Sequence, residues 1–182
     1  FNNIISAEVS ANQSTVMLTQ EGLNDNSLMD VAVLNGFNNT VTATQGVDDI
    51  SGLTLVVDGS DNIVEVTQNS PAGGGDENLA SIEILGDMSD LTFTQLGYGN
   101  NMDIEVVGNG NEGTLSQEGD FGQMLTVDVA GNDNILMSSQ SGSASSTGLI
   151  TVDGHTNNIT LTQAGDGGHL ATVTLINDSN VV

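Results

Sequence analysis

The chain has no lysine, arginine, cysteine or tryptophan among its 182 residues, and a single proline. Each absence removes a class of function. With no cations to neutralise phosphates, nucleic acid is excluded as a partner. Docking on anionic lipid is excluded for the same reason. Without cysteine there is neither a disulfide scaffold nor a cysteine–zinc site. No apolar run approaches the roughly 18 residues of a spanning helix, so no membrane insertion is expected. The 24 acidic residues meet only His155 and His169 as basic side chains, so ion pairs cannot organise the surface. The sequence opens at Phe1 with no charged, apolar leader, which reads as a mature form left by signal removal.

A net charge of −24 with 3% aromatics is the composition of disorder. A repeat argues otherwise. Seven of the nine glutamines share one phase: Gln20, Gln45, Gln68, Gln95, Gln117, Gln140 and Gln163, with steps of 25, 23, 27, 22, 23 and 23 residues. Gln13 and Gln123 fall outside it. Six residues before each phased glutamine stands Ser14, Asn39, Asn62, Ser89, Asn111, Asn134 or Asn157. Three residues earlier stands Gly36, Gly59, Gly86, Gly108, Gly131 or Gly154, with Ala11 in the first copy.

Between these markers apolar residues alternate, the period of a strand. An A strand ends at each glutamine, with pairs such as Val64 and Val66, or Leu91 and Phe93. A B strand ends near each glycine. Its expected core pairs are Ala7/Val9, Ala32/Leu34, Leu55/Val57, Ile82/Ile84, Ile104/Val106, Val127/Val129, Ile150/Val152 and Val173/Leu175. Two short strands per repeat bury no core alone; stacked repeats do. The expected fold is all-β: one β-solenoid domain over residues 1–182, with two strands per rung and two facing parallel sheets. It holds about seven repeats of 22–27 residues. Residues 1–13 supply an N-terminal B strand. The repeats are 14–36, 39–59, 62–86, 89–108, 111–131, 134–154 and 157–177, and residues 178–182 begin an unfinished rung. The longest turn, residues 69–78, holds Pro71 and three glycines, where a proline spares the strand ladders.

By strand alternation the phased Gln and the Asn/Ser both point inward, at opposite ends of the core. A lone buried amide is unfavourable. A column of amides one rung apart can donate and accept along its own length and fix the register. The fourteen residues Gln20 to Gln163 and Ser14 to Asn157 in these two phases are therefore the expected structural ladders.

The spacing Ser/Asn-x5-Gln-x-Gly, as in Ser89 to Gln95 to Gly97 or Asn111 to Gln117 to Gly119, resembles the curlin repeat of curli, the functional amyloid fibres of bacterial biofilms. Asn39 to Gln45 and Asn62 to Gln68 match as far as the glutamine. The resemblance covers residues 12–182 in seven copies. It departs at the B strand, which Gly-x-x-Asn closes, so no second glutamine column is expected. The resemblance implies secretion, extracellular polymerisation and a role in biofilm matrix, with secretion and nucleation machinery as further partners.

The expected subunit junction is Phe1, Ile4 and Ile5 at one end and Asn180, Val181 and Val182 at the other, joining copies head to tail. Asp58, Asp61 and Asp133, in tight turns, are candidate calcium ligands; turns also favour Asp for conformational reasons. No cofactor is expected beyond diffuse association of cations with the charged surface. Outward pairs such as Thr42/Thr44, Thr92/Thr94 and Thr160/Thr162 form a threonine array suited to ice, interrupted by Met17, Glu65 and Met137. No catalytic constellation stands out, and no enzyme is expected. The function read from the sequence is a secreted, curli-like fibre subunit. The alternative is a monomeric surface-binding solenoid, either ice-binding or a calcium-dependent adhesin.

Overall fold

The computed structural model describes residues 4–10, 12–21, 28–46, 52–69, 78–143, 145–176 and 178–182. Among them every regular element is a strand: β1 (Ile4–Ala7), β2 (Thr15–Gln20), β3 (Leu28–Val31), β4 (Thr40–Gly46), β5 (Thr54–Leu55), β6 (Ile63–Asn69), β7 (Asp90–Leu96), β8 (Glu112–Glu118), β9 (Ile135–Ser141), β10 (Ser146–Thr147), β11 (Asn158–Ala164) and β12 (His169–Leu170).

The seven A strands form one parallel sheet in the order β11-β9-β8-β7-β6-β4-β2, so the chain winds through about six turns of a β-solenoid. Register is the same at every step. Gln20 pairs with Gln45, Gln45 with Gln68, and so on to Gln163. Alternate side chains enter the core, as in β4 and β7, where Val41, Ala43, Leu91 and Phe93 are buried.

The B strands form the facing wall, and they are less regular than the alternation suggests. Regular ladder is confined to β1-β3-β5 and β10-β12, although single bridges and main-chain bonds such as Thr54 N–H to Ala80 O (3.2 Å) continue the stacking between them. Ile82, Ile84, Ile104, Val106, Val127, Val129, Ile150 and Val152 are buried here against the A sheet.

Two B-strand expectations differ: Ala7 and Val9, at the end of the stack, are exposed, and one later phase is shifted. Val31 aligns with Leu55, and Met29, Val31 and Val33 are buried, whereas Ala32 and Leu34 are only partly so. The cause is an extra residue in this copy: two residues separate Val33 from Gly36, where one separates Val57 from Gly59. The extra residue is absorbed by left-handed backbone at Val33 (φ 51) and Leu34 (φ 49).

Elsewhere the B strand ends in a three-residue turn. Gly59 N–H donates to Val57 O (2.9 Å), and Gly86, Gly108, Gly131 and Gly154 repeat the bond. The central residue is left-handed each time: Asp58 (φ 43), Leu85 (φ 60), Val107 (φ 63), Ala130 (φ 58) and Asp153 (φ 59). The glycine that follows is required by space. A Cβ on Gly36, Gly59, Gly86, Gly108 or Gly131 would lie 1.7–2.0 Å from the next rung's glycine carbonyl oxygen. At this corner successive rungs bring main chain directly against main chain.

Candidate functional site

The working parts of this molecule are columns, each built from one position of successive rungs. The phased glutamines form the most regular. Each Nε2 donates to the Oε1 of the next rung: Gln20 to Gln45 (2.9 Å), Gln45 to Gln68 (2.9 Å), Gln68 to Gln95 (2.7 Å), Gln95 to Gln117 (3.0 Å), Gln117 to Gln140 (2.9 Å) and Gln140 to Gln163 (2.6 Å). Several glutamines spend the second Nε2 proton on the B wall, as in Gln45 to Leu28 O (2.9 Å) and Gln95 to Leu79 O (3.0 Å). Gln45 through Gln163 are buried and Gln20 is half-buried. A buried amide is thus matched on donor and acceptor sides by its own kind.

The Asn/Ser column works through a different bond. Its side-chain oxygen accepts the backbone N–H of the same position one rung on: Ser14 from Asn39 (3.1 Å), Asn39 from Asn62 (3.0 Å), Asn62 from Ser89 (2.9 Å), Asn111 from Asn134 (3.0 Å) and Asn134 from Asn157 (2.9 Å). Asn39 and Asn62 also donate from Nδ2 to Gly59 O (2.6 Å) and Gly86 O (2.7 Å), tying the column to the glycine corner. One fault interrupts it. Ser89 does not accept the next rung's N–H as Ser14 does, and its Oγ and the Asn111 Nδ2 are buried without a hydrogen-bond partner.

A second inward polar column, not expected from the sequence, opens the B strands: Asn78, Asn100, Gln123 and Ser146, all buried, followed by His169. Gln123 therefore lies in an inward column, although its Nε2 bonds Glu118 O (3.0 Å) and Gly142 O (3.4 Å) rather than its column neighbours. Asn78 Oδ1 accepts the Asn100 N–H (3.0 Å), and Ser146 Oγ lies 3.2 Å from His169 Nδ1. The turn before Gln123 is one residue longer than the turn before Asn100. Asn100 Oδ1 and Gln123 Oε1 are left buried without partners.

A third column runs along the exposed corner. Each backbone N–H donates forward to a side-chain acceptor: Phe37 to Ser60 Oγ (3.3 Å), Ser60 to Asp87 Oδ1 (2.6 Å), Asp87 to Asn109 Oδ1 (2.8 Å), Asn109 to Asn132 Oδ1 (2.7 Å), Asn132 to His155 Nδ1 (3.0 Å) and His155 to Asp178 Oδ1 (2.8 Å). Its sense is opposite to that of the Asn/Ser column. Only the acceptor chemistry repeats, which hides it in the sequence.

Asp58 Oδ1 accepts the Asn35 N–H (3.1 Å) and Asp61 Oδ1 accepts Asn38 Nδ2 (3.1 Å), while Asp133 stands exposed. No group of three or more His, Cys, Asp or Glu converges on a metal position among the described residues. At the opposite corner Ser143 donates to Asp166 Oδ1 from Oγ (2.7 Å) and from its N–H (3.4 Å). Those bonds, the side-chain one first, hold the Asp166 carboxyl below its ordinary value. On the outer A face, Thr19, Thr44, Thr67, Thr94, Ser116, Ser139 and Thr162 align in one column of hydroxyls. Of the junction residues, Phe1 lies outside the described residues. Ile4 (51% exposed) and Ile5 (47%) flank one end. Asn180 N–H bonds Asn157 Oδ1 (2.8 Å), and Val181 (81% exposed) bridges Asn158 beside Val182.

Compared with known protein families, characterised proteins and solved structures, the chain matches none. Fold and columns together define a β-solenoid repeat protein closed by amide ladders.

Proposed function

We propose that this chain is a secreted structural subunit that polymerises head to tail into extracellular, curli-like amyloid fibres of a biofilm matrix. The observation that carries the reading is the self-complementarity of the rung. Each rung passes to the next the same glutamine bond it receives from the one before, in one sense throughout. A second copy offers the same edge, and the joint needs no new chemistry. The partner is then another copy of the chain, served by export and nucleation machinery. The chain's role is mechanical rather than catalytic. Electron microscopy of the purified protein tests this. Long unbranched filaments are expected, and a chain that remains monomeric at high concentration overturns it. Removing residues 1–6 is expected to slow growth. Unchanged growth would remove those residues from the junction.

The aligned hydroxyl column on the outer A face favours the second reading, a monomeric solenoid that binds a surface through that face. Stable monomers that adsorb to ice or to cells would select it.

A further inference from the structure

The chain contains two Asn-Gly pairs, Asn35–Gly36 and Asn109–Gly110. In such a pair the glycine nitrogen can attack the asparagine side-chain carbonyl. The new bond joins Gly N to Asn Cγ, the Cγ–Nδ2 bond breaks, and ammonia leaves with the proton lost by the nitrogen. Water then opens the cyclic imide at either carbonyl, giving aspartate or its backbone-extended isomer. No oxidant or cofactor enters.

The two pairs sit in contrasting surroundings. At Asn109 both reacting groups are held. Its Oδ1 accepts the Asp87 N–H (2.8 Å), its own N–H bonds Asn132 Oδ1 (2.7 Å), and the attacking Gly110 N–H is bonded to Asp87 O (2.9 Å). The corner column therefore keeps nucleophile and electrophile bound to a neighbouring rung.

At Asn35 this arrangement is missing. Asn35 precedes the corner glycine rather than following it, so it stands at the position of Asp58 one rung on, and Phe37 holds the column position of this copy. The Asn35 N–H bonds Asp58 Oδ1 (3.1 Å), but no hydrogen bond holds its side chain among the described residues. The Gly36 N–H likewise has no acceptor there, although the corresponding glycine N–H groups of later rungs close the three-residue turn. Asn35 is exposed, so water reaches the imide.

We propose that Asn35 is a spontaneous modification site of the folded protein, converting through a cyclic imide with Gly36 while Asn109 is protected by its column. The consequence is mechanical. The isomer inserts a methylene into the main chain beside Gly36, where even a Cβ would lie 1.7 Å from the Gly59 carbonyl oxygen. Conversion therefore loosens the first corner of the stack and acts as an ageing mark. The Asp-Gly pairs at Asp58 and Asp153 are restrained, because Gly59 and Gly154 donate their N–H within the turn. Asp166, before Gly167, keeps an ionised carboxylate bonded to Ser143, which is a poor electrophile.

The test is incubation of the folded chain in mildly alkaline buffer, followed by peptide mapping with a protease that cuts at acidic or aromatic residues and fragmentation that separates the two isomers. Asn35 should convert at least about tenfold faster than Asn109, each bond holding Asn109 slowing its opening roughly fivefold. In denaturant the two sites should convert at similar rates. Similar rates in the folded chain, or an inert Asn35 that reacts only once unfolded, overturn the proposal. Asn35→Gln supplies a second readout. It should abolish the early acidic species on isoelectric focusing, and persistence of that species at the same rate also overturns it.

Discussion

Replacing Gln117 by Leu tests the glutamine column at its centre. The side chain is fully buried and makes two column bonds, from Gln95 Nε2 (3.0 Å) and to Gln140 Oε1 (2.9 Å). Leucine is close in volume, so little cavity forms. The loss is two hydrogen bonds, and a Gln95 N–H and the Gln140 Oε1 are left buried. At about 1 kcal/mol net per bond, with a further penalty for the stranded groups, destabilisation of about 2–4 kcal/mol follows. For a chain of this size that lowers the thermal midpoint by roughly 4–16 °C. The sharper test is the double substitution Gln95→Leu/Gln117→Leu. Gln95 alone gives up the bonds to Gln68, Gln117 and Leu79. In the double variant the bond shared by 95 and 117 is lost only once, and neither partner remains to be stranded by the other. The double should therefore cost less than the sum of the singles by about 1–3 kcal/mol. Urea unfolding of monomeric protein, followed by circular dichroism, measures all four corners of the cycle. Additive effects, or a Gln117→Leu protein as stable as the parent, would refute a cooperative amide column and leave the glutamines as turn markers.

Other expectations concern single positions. Ser89→Asn gives Asn111 a side-chain oxygen to bond, in the pattern seen between Asn111 and Asn134, and should raise stability by about 1 kcal/mol in the same urea assay. Ser138 is buried between Leu115 and Leu161 in its column with an unpartnered Oγ, so Ser138→Val should raise the thermal midpoint; a fall would mean that the hydroxyl has a partner. Gly131→Ala puts a Cβ 1.8 Å from Gly154 O and should disrupt the corner, whereas Gly168→Ala meets nothing within 4 Å and should be tolerated. Comparing the soluble yield and melting of the two separates a glycine needed for space from one that is not. The depressed Asp166 carboxyl stabilises the fold above its unfolded pKa, and that contribution fades as pH falls through the lower folded value. Ser143→Ala should move the Asp166 titration upward in a carbon-detected NMR series.

Much of this architecture is legible in the sequence because the glutamine column demands chemical identity. An amide donates and accepts in one plane, so seven rungs keep the same residue at one phase. The other columns are harder to read for definite reasons. The corner column needs only an acceptor, and Ser60, Asp87, Asn109, Asn132, His155 and Asp178 all supply one. The column of Asn78, Asn100, Gln123 and Ser146 follows turns of unequal length, so its distance from the phased glutamine drifts. The phase error at Ala32 and Leu34 has a third cause. A run of apolar residues, 31–34, fits either alternation, and only the extra residue before Gly36 shows which one is buried.

The glycine corners carry a consequence for assembly. Gly36, Gly59, Gly86, Gly108 and Gly131 at one edge, and Gly97, Gly119 and Gly142 at another, bring main chain against main chain. Peptide groups in contact do not compress, so these edges behave as struts that set the axial period by backbone dimensions alone. Side chains on the faces can then vary between copies without changing that period. A filament built from such units could incorporate sequence variants with no accumulating axial misfit, provided each variant keeps its corner glycines.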